Sequence, residues 1–390
     1  MNPKIILKKN EEKRIRLGHL WVFSNEIDKK LGDADNGDIV EVYDAHNNFI
    51  GTGFYNKNSL IAVRILDNVK IDAFKNFAEN KIEAAFSLRQ IFYPERNSLR
   101  LVFSESDFLP GLIIDKYNDT FVLQVYSAGM QKNISDIVSI LQNKFGAKNI
   151  FTKNESYFRT LEGLPDEDEI FLGVQKTEII DDGAIKYEIN FERSHKTGFY
   201  FDQSDNRFFI ERISKDKKVI DAFCNSGGFG LHAVNAGAES ITFVDSSSAE
   251  IENVRHNFEI NNFSNKGEFI VSDVFDYFEK LISEKKKFDV VMIDPPAFAK
   301  SKKNLPAAKK GYEKLNRLAL QLVCEDGFLV SSSCSHHLLK DEFIQVISAA
   351  AVKAGRKIQQ VHFNGASLDH PEIPVMPETV YLKFAVFRVI

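Results

Sequence analysis

The sequence predicts a multidomain α/β protein with an N-terminal β-barrel, a small central α+β domain and a C-terminal doubly wound domain. Three observations lead there. Three apolar runs in the second half each close on an acid, Asp221 in VIDA, Asp245 in ITFVD and Asp294 in FDVVMID, as strands do in an open parallel sheet that binds ligands at its carboxyl ends. The first run leads into Cys224-Asn225-Ser226-Gly227-Gly228 and then a helical pattern over 229–236; glycines at such a turn let backbone approach a ligand that a Cβ would repel. At 390 residues and 44% hydrophobic content, the chain is too long for one ordinary domain and apolar enough to build cores in two or three.

Residues 1–70 read as the barrel. Short strands over 38–43, 49–55 and 60–66 are parted by Asp-Asn-Gly and Asn-rich turns, the pattern of a small antiparallel barrel. The one tryptophan, Trp21, is expected to anchor its core. Residues 71–190 form the second domain. Phe74, Phe77, Ala78, Ile82, Ala85, Phe86 and Leu88 recur at helical spacing and predict a connecting helix over 71–91, ended by Pro94. Strands over 99–103, 112–116, 121–126, 150–153 and 186–191, with a helix over 134–145, complete a unit that carries no catalytic constellation. Residues 191–390 are the third domain.

Composition excludes several classes. No apolar stretch reaches the roughly 18 residues of a membrane helix, and the N-terminus lacks the pattern of a signal peptide, so a cytoplasmic protein with no membrane partner is expected. Cys224, Cys324 and Cys334 form no CxxC pair, which argues against a disulfide framework or a zinc site. His336 and His337 are adjacent and point apart on a strand or turn, so no metal is expected. The net charge of −5 leaves RNA binding to local patches. One is the arm with Lys4, Lys8, Lys9, Lys13, Arg14 and Arg16; the other runs from Lys300 through Lys302, Lys303, Lys309, Lys310 and Lys314 to Arg317.

These motifs also carry a family likeness. Asp221 as motif I, Asp245 as motif II and Asp294-Pro295-Pro296 as motif IV resemble the class I S-adenosylmethionine-dependent methyltransferases, whose domain is Rossmann-like. The basic arm, GHLWVFSNEI and GTGFYN resemble the PUA domain, an RNA-binding pseudo-barrel. Adding HKTGFYFDQ, DPPAFAKSK, GYEKLNRLAL, SSSCSHH, Asp369-His370-Pro371 and Tyr381-Leu382-Lys383, the chain from barrel to C-terminus is similar to the RlmI-type 23S ribosomal RNA (cytosine-5)-methyltransferases. Cys224-Asn225-Ser226 departs from the aromatic-Tyr-Thr sequence of many relatives, which touches cofactor affinity more than reaction type.

The resemblance implies S-adenosylmethionine as cofactor, held by Lys196, Thr197, Gly198, Gln203, Asp221, Phe223, Gly227, Gly228, Phe229, Asp245, Ser246, Asp273, Asp294 and Pro295. It implies large-subunit ribosomal RNA or an assembly intermediate as partner, met by Pro296, Phe298, Lys300, Lys302 and Lys303, with a homodimer as one assembly. Carbon 5 of cytosine is a poor nucleophile, so its methylation needs a thiolate added first at carbon 6. Cys334 fits that role at the end of a predicted strand over 327–333, and the resemblance makes it the motif VI nucleophile. An ordinary thiol has a pKa near ~8.5, so a positive neighbour would help, and Lys300 and Lys302 are candidates. Asp294, fixed by two prolines, is placed to hydrogen-bond N3 or N4 of a flipped base. Two-cysteine enzymes carry their second cysteine just after the motif IV proline, where Pro296 stands here, followed by Ala297, so a single-cysteine mechanism is expected, with the base for the carbon 5 proton unassigned. Two other readings stay open: a methyltransferase acting on a nitrogen of an RNA purine, and a non-catalytic RNA-binding assembly factor with a vestigial cofactor pocket.

Overall fold

The structure, a computed structural model, describes residues 2–194, 196–264, 266–299 and 301–390. It forms two compact units that do not follow the chain linearly. The first holds the chain up to Ile180 together with Ile189–Phe201 and Leu368–Thr379; the second holds Asp181–Glu188, Asp202–Ser367 and Val380–Ile390.

The first unit opens with β1 (Lys4–Leu7), α1 (Glu12–Arg16), β2 (Trp21–Phe23), β3 (Ile27–Leu31), β4 (Ile39–Tyr43), β5 (Phe49–Tyr55) and β6 (Ile61–Asp67). The strands make one sheet in the order β2-β6-β5-β4-β1-β3, in which only the β1–β4 pair is parallel. Ile5, Leu7, Val22, Val40, Val42 and Val63 fill its core. Trp21 lies at the margin of that core rather than at its centre, and its indole N–H donates to Glu105 at 2.8 Å. The basic arm is also partly consumed by the fold: Arg14 pairs with Glu26 at 2.7 Å and Arg16 with Asp44 at 2.9 Å.

A second sheet follows in the same unit, built from β7 (Ser98–Phe103), β8 (Leu112–Tyr117), β9 (Thr120–Val125), β10 (Asn149–Thr152) and β11 (Ile170–Leu172), in the order β11-β10-β9-β8-β7. Its helices are α2 (Phe74–Phe92), α3 (Ala128–Lys132), α4 (Ile134–Phe145) and α5 (Ser156–Glu162). Phe74, Ala78, Ile82, Ala85 and Arg89 mark the buried stripe of α2, at the three- and four-residue spacing of an amphipathic helix. Arg89 is fully buried, makes two bonds to Asp107 at 2.6 and 2.7 Å, and donates to the Asp369 carbonyl at 2.7 Å. Asp369 in turn accepts from the Arg100 N–H at 2.9 Å and bonds His370 at 2.7 Å. That network holds the distant segment Leu368–Thr379 in this unit. The segment Ile189–Phe201 is held in the same way, by Phe199 N–H donating to the Tyr117 hydroxyl at 2.9 Å and Lys153 donating to the Ser194 carbonyl at 2.7 Å.

Two short strands, β12 (Glu178–Asp181) and β13 (Lys186–Ile189), precede the second unit's sheet in the chain. The sheet contains β14 (Lys218–Ala222), β15 (Ser240–Asp245), β16 (Lys266–Val271), β17 (Phe288–Ile293), β18 (Val323–Ser333), β19 (Ile358–Asn364) and β20 (Lys383–Val389), in the order β16-β15-β14-β17-β18-β20-β19. The helices are α6 (Ser204–Ser214), α7 (Gly228–Asn235), α8 (Ser248–Ile260), α9 (Val274–Ser283), α10 (Leu305–Leu322) and α11 (Lys340–Ala354). Strands β14 to β18 pair in parallel, whereas β20 runs antiparallel to both β18 and β19. The chain winds outward from β14 through β15 and β16, then returns to β17 on the other side. The resulting switch point lies at the carboxyl ends of β14 and β17, where open α/β sheets bind ligands. Cys324 belongs to the start of β18.

Candidate active site

Glycine at two positions shapes the loop after β14. Gly227 has φ +83° and caps α7, and a Cβ on Gly228 would stand 2.4 Å from Nε of Arg207. Phe223 also takes a positive φ of +61°, and its N–H donates to the Val244 carbonyl at 2.9 Å. Asp221 sits beneath the loop, 1% exposed, and accepts from the Gly230 N–H at 2.8 Å. Burial chiefly, then the neighbouring carboxylate of Asp294, pushes its pKa up to about 7 despite the Gly230 bond and Arg207.

That shift has a stability consequence. A carboxyl whose pKa is raised in the fold gives stability that is present below about pH 4 and is lost as pH rises through about 7. Asp221→Asn is therefore expected to lose less thermal stability than the unsubstituted protein between pH 5 and pH 8. Parallel melts of the unliganded proteins check this, with a difference of a few degrees expected. Gly230 is tight as well, since an added Cβ would meet Phe243 Cε1 at 2.2 Å. Gly230→Ala is expected to destabilise the domain by ~1–3 kcal/mol through overpacking, measurable by denaturant melts.

Asp245 closes β15 with its two oxygens accepting from Asn225 N–H at 3.1 Å and Ser247 N–H at 2.9 Å. A carboxylate has about four acceptor sites, so capacity for two ribose hydroxyls remains. Ser246 is exposed beside it. Asp273 is exposed and caps α9, accepting from Phe275 N–H at 2.8 Å and Asp276 N–H at 3.2 Å. Phe229 is buried and stacks against Phe384 with ring centroids 5.8 Å apart. Lys196, Thr197 and Gly198 fall in the first unit, where Thr197 is buried and Gly198 has φ +129°.

Asp294 follows β17, and the parallel register Ala222↔Ile293 puts it beside the glycine loop. Gln203, buried at the N-terminal end of α6, donates its amide to Asp294 at 3.1 Å while its carbonyl accepts from Asn206 at 2.7 Å. Burial first, then the carboxylate of Asp202, raises the Asp294 pKa to about 7. Asp202 is itself held by the Tyr381 hydroxyl at 2.6 Å. Pro295 is buried and Pro296 exposed, and the Phe298 ring lies against Tyr312 at 4.6 Å. Lys302 and Lys303 are exposed in a short turn. Lys300 lies outside the described residues. Of the rest of that patch, Lys309 pairs with Glu342 at 2.7 Å and Lys314 with Glu279 at 3.0 Å.

Cys334 stands immediately past β18, which pairs with β17 through Ile293↔Ser331. Asp294 and Cys334 therefore leave adjacent parallel strands at the same end. The loop is held from α10: the buried Tyr312 hydroxyl bonds Ser333 and Ser335, each at 2.9 Å, and the Ser335 hydroxyl accepts from Ala299 N–H at 3.2 Å. Cys334 is half-buried and unbridged, as is Cys324, whereas Cys224 is buried in the glycine loop, where burial pushes its thiol pKa well up. Sequence reasoning missed Arg207, a polar residue on a helix with no motif to mark it, and read Asp202 only as part of the HKTGFYFDQ stretch, without a role of its own. It also missed any role for Lys383. A lysine heading an apolar strand, KFAVF, was the available signal.

Comparison with known proteins places this geometry. Residues 5–68 match the PUA-like domain model, and residues 201–357 match the family described as conserved hypothetical protein 95. The protein named ribosomal RNA large subunit methyltransferase I of Tolumonas auensis is 34% identical over 399 residues, covering 100% of both chains. Its namesake of Pseudoalteromonas atlantica is 35% identical over 396 residues, again covering 100% of both. The chain belongs to the ribosomal RNA large subunit methyltransferase I family. The fold agrees: SMU.776, a crystal structure assigned as a methyltransferase and complexed with SAH, superposes with a TM-score of 0.85 at 20% identity, covering 99% of each chain. The chain thus carries an N-terminal PUA-like domain and a C-terminal Rossmann-like methyltransferase fold. Among the described residues no helix is long and apolar enough to cross a membrane, and no group of three or more His, Cys, Asp or Glu could hold a metal ion.

Proposed function

We propose that the protein is an S-adenosylmethionine-dependent methyltransferase that forms 5-methylcytosine in large-subunit ribosomal RNA through a covalent adduct with Cys334. The loop fits the cofactor: Gly227 and Gly228 present backbone without side chains, Asp221 braces them through Gly230, and Asp245 keeps acceptor capacity for a ribose. Gln203, Phe223, Phe229, Ser246, Asp273 and Pro295, all of the second unit, complete the proposed set. When bound, S-adenosylmethionine supplies an electrophilic methyl group. The barrel of residues 1–70 and the exposed Lys302 and Lys303, with Pro296 and Phe298, meet RNA; the central domain of 71–190 is a spacer before the catalytic domain of 191–390.

One observation carries the reaction: Cys334 and Asp294 emerge from neighbouring strands at the same edge of one sheet, next to the glycine loop. The Cys334 thiolate adds to carbon 6 of an extruded cytosine, and the proton of Asp294 moves to N3 to receive the displaced electrons. Carbon 5 becomes nucleophilic and accepts the methyl group. Loss of the carbon 5 proton and of N3's acquired proton then lets the carbon 6–sulfur bond break, returning the thiolate.

The test is to incubate the purified protein with methyl-labelled S-adenosylmethionine and deproteinised large-subunit RNA, or pre-ribosomal particles, and to identify labelled nucleosides by mass spectrometry. Label in 5-methylcytidine is expected. Label on a purine would overturn the carbon 5 assignment while leaving the transferase, and no label on either substrate would overturn the enzyme reading.

A further inference from the structure

This inference rests on Cys334 being the nucleophile. We propose that Lys383, from the last strand of the domain, is the cation that keeps the Cys334 sulfur ionised. The antiparallel turn of β20 brings this about: its register Ser333↔Lys383 sets the first residue of β20 beside the last of β18. Lys383 is 4% exposed, and its Nζ donates to the Ser335 carbonyl at 2.7 Å and to the Tyr381 carbonyl at 2.6 Å. The amine is thereby tethered one residue past Cys334. An ammonium has three donors, and two carbonyls leave one N–H unspent.

A buried cation calls for a nearby anion, because desolvating a charge without a partner is costly. Among the described residues no carboxylate forms an ion pair with Lys383, and the charge that acts on it is that of Cys334. Burial pulls its pKa down to about 8, with the Cys334 sulfur drawing it back up. It therefore stays protonated at neutral pH. Tyr312 faces Cys334 from α10 with its hydroxyl committed to Ser333 and Ser335, and burial holds that hydroxyl's pKa up. His336 and His337 follow on the cysteine's own loop. Lys383 is thus a positioning residue: the proton of the thiol leaves to solvent, and the ammonium holds the anion.

The experiment follows the rate at which iodoacetamide alkylates Cys334 between pH 5 and 9 in the full-length protein, by mass spectrometry of the Cys334 peptide. The midpoint is expected below the ordinary ~8.5. Lys383→Met is expected to raise the midpoint by a unit or more and slow alkylation at pH 7 by about tenfold, and Lys383→Arg to recover part of the loss. An unchanged midpoint in a folded Lys383→Met protein overturns the proposal. If that variant does not fold, a midpoint at or above ~8.5 in the unsubstituted protein overturns it instead. Neither readout depends on methyl transfer. The nucleophile assignment fails separately, if Cys334→Ala still methylates carbon 5 at full rate.

Discussion

Cys334→Ala is expected to lose carbon 5 methylation of cytosine by a factor on the order of 10⁴–10⁶, the scale on which enzymes lose rate when a covalent nucleophile is removed. Carbon 5 of cytosine cannot attack an electrophile until a nucleophile has added at carbon 6, and no other thiol is placed to substitute. Cys224 is buried in the glycine loop, and Cys324 lies near the opposite end of β18 from Cys334. Folding should be little changed, because Cys334 is half-buried and the loop around it is fixed by Ser333, Ser335 and Tyr312. Single-turnover assays on RNA, with thermal melts as control, separate the two effects. A variant that melts normally and still labels 5-methylcytidine at full rate would sink the covalent mechanism.

The parts of this site that were legible in the sequence are those where local pattern and tertiary position coincide. Asp221, Asp245 and Asp294 end apolar strands, and in a parallel sheet a strand's C-terminal end is also the ligand end. Cys334 was legible for the same reason, one residue past an apolar run. Lys383 was not. Its strand runs against the others, so the residue that begins it reaches the edge where they finish, and strand direction is not written in alternation or hydrophobicity. The return of Leu368–Thr379 to the first unit was hidden in another way. It depends on Arg89 bonding the carbonyl of Asp369, 280 residues away, and a buried arginine in a helix reads in sequence as a solvated one. Trp21 was expected in the barrel core and instead hydrogen-bonds Glu105 from its margin. Arg64 joins the same seam, pairing with Glu105 and Glu162 at 2.9 Å each. Composition alone does not distinguish a core aromatic from one that ties a barrel to the neighbouring sheet.

Asp294→Asn should separate the two roles proposed for the wild-type carboxyl. With its pKa raised to about 7 by burial and by Asp202, Asp294 carries a proton through the acidic half of the neutral range and can give that proton to N3 as the thiolate adds. Asparagine keeps the hydrogen-bond shape, donating to N3 and accepting from N4, but has no acidic proton to transfer. The expected result is a KM for RNA within a few-fold of wild type and a kcat lower by about 10²–10⁴, the usual share of a general acid. Asp294→Ala should lose in both constants, since the hydrogen bonds go as well. The pH profile makes the distinction sharper: if the proposed acid role holds, the wild-type rate falls as pH rises through about 7, and the asparagine variant lacks that descending limb. A profile that instead rises through the same range would mean the ionised carboxylate is the working form, accepting from the N4 amine, and would move the N3 proton to another donor.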